Sequence, residues 1–162
     1  MLIALLVSGC ASRPPLSTVP SVDLTRYSGK WYEIAKYPNF FQRGCSGQST
    51  AEYSPGPDGS IRVVNACPGK NGKEIRVTGK ATVVPGSQNT KLRVSFGGPI
   101  SGAYWVIGLD EKNYSWAVVG HPSRQFLWIL ARTPELPADT YEKILKLVAE
   151  HGYDTARIER DR

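Results

Sequence analysis

The sequence predicts an all-β protein, an eight-stranded antiparallel up-and-down β-barrel with one C-terminal α-helix packed outside it. Three observations lead there. Twelve prolines and sixteen glycines divide the 162 residues into short runs, too short for a helical bundle. The runs alternate apolar and polar side chains with the period-two repeat of a half-buried strand. A single stretch of helical periodicity follows the last of them. A hydrophobic fraction of 41% in a chain of this length supplies one real core, hence one barrel domain, placed at residues 23–162.

Residues 1–9 stand apart. Leu2 to Val7 form an apolar run too short to span a bilayer and suited to the core of a signal peptide. Val7-Ser8-Gly9-Cys10 resembles the lipobox of bacterial lipoproteins, which implies acylation (palmitate) on Cys10 and a mature chain that begins there. Ala11, where an aspartate would favour retention in the inner membrane, points to the outer membrane. Residues 10–22, with Pro14, Pro15 and Pro20 among small polar residues, read as an extended lipidated tether.

Asp23 is a helix-capping residue and Gly29 a stop, so a single helical turn leads into the first strand. That strand, Gly29 to Pro38, places Trp31, Glu33, Ala35 and Tyr37 on one side and Tyr32, Ile34 and Lys36 on the other. Neither side is fully polar, so one meets the core and the other a packed element. The loop after it carries adjacent Phe40 and Phe41. They either fold back on the barrel or form an apolar lip at its mouth or a membrane contact.

Pro55-Gly56-Pro57-Asp58-Gly59 is a strong turn signal between strands at 46–54 and 60–67. Cys45 and Cys67 each lie eleven residues from Gly56, so folding there brings them together. With Cys10 assigned to lipid, an exported setting leaves this even pair for a disulfide. Further strands are expected at 73–84, 91–96, 103–109, 115–120 and 126–132, almost all joined as hairpins. Leu92, Val94 and Phe96 alternate most clearly with Lys91, Arg93 and Ser95. Eight such strands close into a barrel wide enough for one small ligand. Pro137 opens the helix, where Tyr141, Ile144, Leu145 and Val148 make one apolar stripe and Gly152 ends it. Tyr32 and Ile34 are the expected receivers of that stripe, and residues 155–159 suggest a last edge strand.

Taken in order, these features resemble the lipocalin family over about residues 23–158. Gly29-Lys30-Trp31 matches its first signature, Asp110 with Asn113-Tyr114 its second, and Arg132 in Leu130-Ala131-Arg132-Thr133-Pro134 its third. The resemblance implies that Arg132 lies across Trp31 at the closed end of the barrel. It is nearest the bacterial outer-membrane lipoprotein and apolipoprotein D branches, and the latter implies pocket roles for Tyr53, Asn65 and Trp128. Alternation and similarity together give an interior of Val63, Val94, Phe96, Tyr104, Val106, Ala117, Val119 and Phe126 as well. Such a cup suits an acyl chain.

Other functions find little support in the residues. The net charge of +6 comes from scattered Lys and Arg without the stripe that a nucleic acid would follow. There is no nucleophile elbow, phosphate loop or dinucleotide fingerprint. His121 and His151 are the only histidines and are expected to lie apart in space, so no metal site and no catalytic centre are expected. The expectation is therefore a lipid-anchored outer-membrane protein, monomer or homodimer, that binds fatty acids or lysophospholipids for membrane maintenance, storage or transport. It carries no cofactor and is not an enzyme. The alternatives are a family member with enzymatic activity, a carrier of a sterol, haem-like molecule or pigment, and a filled barrel that acts as an interaction module.

Overall fold

A computed structural model describes residues 13–99 and 101–161. Eight strands, β1 (Gly29–Lys36), β2 (Thr50–Pro55), β3 (Ile61–Pro68), β4 (Glu74–Val83), β5 (Lys91–Ser95), β6 (Gly102–Leu109), β7 (Trp116–Gly120) and β8 (Leu127–Ala131), run antiparallel in chain order. β1 pairs with both β2 and β8, which closes the barrel. A one-turn helix α1 (Leu24–Tyr27), capped by the Asp23 carboxylate, precedes β1. Helix α2 (Ala138–Glu150) follows β8, and a two-residue strand β9 (Glu159–Arg160) pairs with the upper end of β1. Among the described residues no helix is long and apolar enough to cross a membrane.

Two cores result, one on each face of the sheet. Inside the barrel, Tyr27, Trp31, Tyr53, Ile61, Val63, Ala81, Leu92, Val106, Ala117, Val119 and Leu130 pack together. Outside, Ile144 and Val148 of α2 are fully buried against Ile34, Ala35, Val118, Leu127 and Ile129, with Tyr32 beside them. Tyr32 and Ile34 receive the helix as the alternation predicts. Ala35 and Tyr37 do not share the Trp31 face, because the β1–β8 register shifts between Glu33 and Ala35. One extra residue there re-aims every side chain beyond it, so Tyr37 leaves the barrel and its hydroxyl donates to the Asp154 carbonyl at 2.8 Å.

The disulfide Cys45–Cys67 is present. Its register differs from a hairpin symmetric about Gly56. Pro55 pairs with Ile61, so the hairpin turns about Asp58 and the ladder ends at Thr50–Ala66. Cys45 instead reaches Cys67 from the loop before β2, where it bridges Gly69. The segment expected as a tether also differs from a free one. From Pro14 onward it is a strap along the barrel: the Val22 and Val19 amides donate to the Gln88 and Val106 carbonyls, both at 3.0 Å. Leu16 is buried in the outer core, and the Pro14 carbonyl accepts from Arg124 Nη2 at 2.8 Å. Cys10 lies outside the described residues.

Candidate functional site

The barrel has a closed end and an open end, and their chemistry is opposite. At the closed end Trp31 is fully buried, its indole N–H donating to the Tyr27 carbonyl at 2.8 Å. The Arg132 guanidinium lies 3.8 Å above the ring centroid. Its N–H groups donate to the carbonyls of Lys30, Arg26, Ser28 and Tyr114, so the cation is spent on backbone. Gly29 has φ +96°, and a Cβ there would touch Arg132 Nη1 at 3.4 Å, which is why glycine stands at this crossing. The Asp110 carboxylate accepts from the Ser115 hydroxyl and from the Asn113 and Ser115 amides, and the Ser115 bond above all holds its pKa below the usual aspartate value. Tyr114 accepts from the Asp23 amide at 3.0 Å and is covered by Arg26. The five signature residues therefore form one structural plug.

Above the plug, the Tyr104 hydroxyl lies 2.8 Å from that of Tyr27 and 2.9 Å from that of Tyr53. Burial raises the pKa of all three, Tyr53 to about 12, so they stay neutral hydroxyls. Three O–H groups with two mutual bonds leave one donor to spare. Val63, Val106, Ala117 and Val119 are packed at the same level with at most 2% of their surface accessible. These expected lining residues thus form a solid floor, and the cup is shallower than alternation alone suggests.

The open half lies higher. Asn65 pairs with Val77 and Cys67 with Ile75 across β3 and β4, while Val63 and Ile61 on the same face point into the core. Paired residues of antiparallel strands share a face, so Ile75 and Val77 point into the barrel mouth, where they remain 39% and 45% exposed. Phe96 projects just past β5 and is 48% exposed. Gly79 makes room for it, since a Cβ there would meet the Phe96 ring at 2.7 Å. Opposite, Phe126 stacks on Trp128 at 6.0 Å and meets Phe41 at a tilt, with centroids 5.8 Å apart. Val94 is half-buried at the top of the interior core. Asn65 Oδ1 is buried with no hydrogen-bond partner.

A polar clasp secures the lip. Phe40–Gln42 is a 3₁₀ turn capped by the Asn39 side chain. Gln42 Nε2 donates to both Glu33 oxygens at 2.9 Å, and Gln42 Oε1 accepts from Trp128 Nε1 at 3.3 Å. Lys36 Nζ donates to Glu33 at 2.8 Å and to Asp161 at 2.7 Å. Burial pushes the Glu33 carboxyl up from 4.5 to about 7, against the pull of Lys36. Burial opposes the Lys36 ammonium as well, but Glu33 and Asp161 overcome it and hold that pKa above the usual lysine value. Because the folded-state pKa of Glu33 is raised, the folded protein binds the extra proton between about pH 4.5 and 7, and stability falls as pH rises through that window. Urea unfolding from pH 5 to 8 is expected to show that fall, and Glu33→Gln to flatten it. An equal slope in the variant would remove Glu33 as its source.

The structure brings Asn65, Val94, Phe96, Phe126 and Trp128 to the mouth and leaves Tyr53 and Tyr104 in the hydroxyl cluster below. Sequence reasoning missed Ile75 and Val77, although Ile75, Val77, Gly79 and Ala81 alternate correctly. It also missed Tyr27 and Gln42, which lie in short turns with no periodicity to read. Among the described residues no group of three His, Cys, Asp or Glu side chains is placed to hold a metal. Both described cysteines are in the disulfide, so neither is a pocket thiol.

Comparison with known proteins agrees with this geometry. The "Lipocalin-like domain" family model matches residues 22–162. The chain is 40% identical to "Outer membrane lipoprotein Blc" of Vibrio cholerae over 98% of this chain and 93% of that one. It is 32% identical to "Apolipoprotein D" of Mus musculus, covering 93% and 80%. Insecticyanin from the tobacco hornworm Manduca sexta superimposes with a TM-score of 0.74 over 93% of this chain and 86% of its own, at 23% identity, a likeness of fold. The chain belongs to the lipocalin family.

Proposed function

We propose that this protein binds fatty acids or lysophospholipids at the open end of its barrel, as an outer-membrane lipoprotein anchored through Cys10 that serves membrane maintenance or lipid storage and transport. One observation carries the reading. All five exposed large apolar side chains among the described residues (Phe40, Phe41, Ile75, Val77 and Phe96) are gathered at the mouth. Water leaves such surface exposed at a cost of about 25 cal/mol per Å², and an acyl chain entering the barrel covers the inward Ile75, Val77 and Phe96. The unpartnered Asn65 Oδ1 below offers one acceptor to a ligand hydroxyl. The relatives named as outer membrane lipoproteins support the location, and the lipobox at Val7–Cys10 supports the anchor.

Trp128 reports on occupancy because it is half-buried between Gln42 and Phe126. Titration with a long-chain fatty acid or a lysophospholipid is expected to change tryptophan emission saturably, and Trp128→Phe to remove that change. No saturable signal with any long-chain lipid would count against the assignment.

A further inference from the structure

The loops at the open end carry more positive charge than the turns at the closed end, although Glu159 and Asp161 of the C-terminal segment line one recess with Arg43 and Lys70. The open-end loops, residues 38–49, 69–73, 96–101 and 121–126, contain Arg43, Lys70, Lys73 and Arg124 and no Asp or Glu. The turns at the closed end, residues 54–60, 84–90, 110–115 and 132–137, contain Asp58, Asp110, Glu111 and Glu135 against Lys112 and Arg132. Arg43, Lys70 and Lys73 are exposed, and none of them enters an ion pair among the described residues. Arg43 follows the Phe40–Gln42 turn, Lys70 is tied to that loop by its amide donating to the Gly44 carbonyl, and Lys73 lies in the same β3–β4 turn as Lys70. Phe40 and Phe41 lie against each other at a tilt with centroids 4.0 Å apart and stand 61% and 64% exposed. The Gln42 clasp to Glu33 and Trp128 fixes this pair outward.

The strap adds a direction. It climbs from Gln88 at the closed end, past Val106, and is held at Pro14 by Arg124 of the β7–β8 loop, at the open end. Cys10 precedes Pro14 by four residues, a reach of at most about 14 Å. The strands separate the two ends by roughly 25 Å at about 3.3 Å per residue. A bilayer holding an acylated Cys10 thus lies beside the mouth while the strap stays docked.

We propose that the open end docks mouth-down on an anionic phospholipid bilayer. Phe40 and Phe41 enter the interface, and Arg43, Lys70 and Lys73 meet the phosphates. Amphipathic surfaces of this kind gain from apolar burial and from the negative surface potential together. The docking itself stands apart from cavity binding. Combined with the lipid-carrier reading on which this consequence rests, it lets a lipid pass between bilayer and barrel without crossing water.

The test uses residues 10–162 as Cys10→Ser, so that neither an acyl group nor the apolar run Leu2–Val7 contributes. Co-sedimentation with phosphatidylcholine vesicles containing phosphatidylglycerol is expected, weakening as salt rises. Combining Arg43→Glu, Lys70→Glu and Lys73→Glu lowers partitioning roughly 100-fold, from about a factor of five for each cation removed. Lys112→Glu at the closed end leaves it unchanged. Phe40→Trp adds emission that brominated acyl chains quench. Equal binding to pure phosphatidylcholine, indifference to the triple reversal, or an unquenched Phe40→Trp signal each overturns the docking. Fatty-acid titration of the same variants separates the two ideas. Docking that fails while fatty-acid binding persists overturns only the docking, and the converse overturns only the cavity.

Discussion

Trp31→Ala is expected to destabilise the fold by about 4 kcal/mol, the usual cost of removing a large aromatic from a packed core. Trp31 has no accessible surface, and its loss would open a void between α1 and the barrel floor. It would also take the Tyr27 carbonyl's donor and the ring under Arg132, leaving that guanidinium above a hole. The effect should appear in chemical unfolding as a shifted midpoint with an unchanged slope. A loss below about 1 kcal/mol would mean that the closed end repacks and that the plug is not the keystone described above.

Replacing Cys45 and Cys67 with serine is expected to cost about 3 kcal/mol, because the bridge closes a loop with a sequence separation of 22. The damage should be local. The bridge joins the loop behind Phe40 and Phe41 to the β3–β4 turn, a junction reinforced by Ser46 donating to Pro68 and Lys70 to Gly44. Hydrogen exchange is therefore expected to quicken at residues 44–49 and 67–75 while β6, β7 and β8 stay protected. Uniform loss of protection would place the disulfide's role in the whole barrel.

Much of this architecture is legible in local patterns. The strand alternation of residues 91–96, the helix stripe from Tyr141 to Val148 and the three signature motifs each state a face or a contact within a few residues. Tyr104, Val106, Ala117 and Val119 face the inner core, and their neighbours Trp105 and Trp116 the outer one. What the chain hides is non-local. The bulge after Glu33 depends on how β8 pairs with β1, and no property of the residues at 33–35 announces it. The Cys45–Cys67 pairing was correct, but it forms because the chain before β2 bends, not because the hairpin is symmetric about Gly56. The docked strap, the Tyr27–Tyr104–Tyr53 cluster and the Gln42 clasp join residues 9 to 110 positions apart, through bonds that periodicity does not connect. The depth of the cup depends on how those side chains fill the barrel, so alternation located its wall but not its floor.

The central claim is that lipid occupies the mouth, against Val77, Phe96 and Trp128 and above the tyrosine floor. Its most direct test is calorimetric titration of a long-chain fatty acid or lysophospholipid into wild-type protein, Val77→Asp and Arg93→Asp. Val77 faces the mouth, whereas Arg93 is exposed on the outer face of β5. Saturable binding that is lost in Val77→Asp and kept in Arg93→Asp is the predicted result. Undiminished binding in Val77→Asp would contradict it.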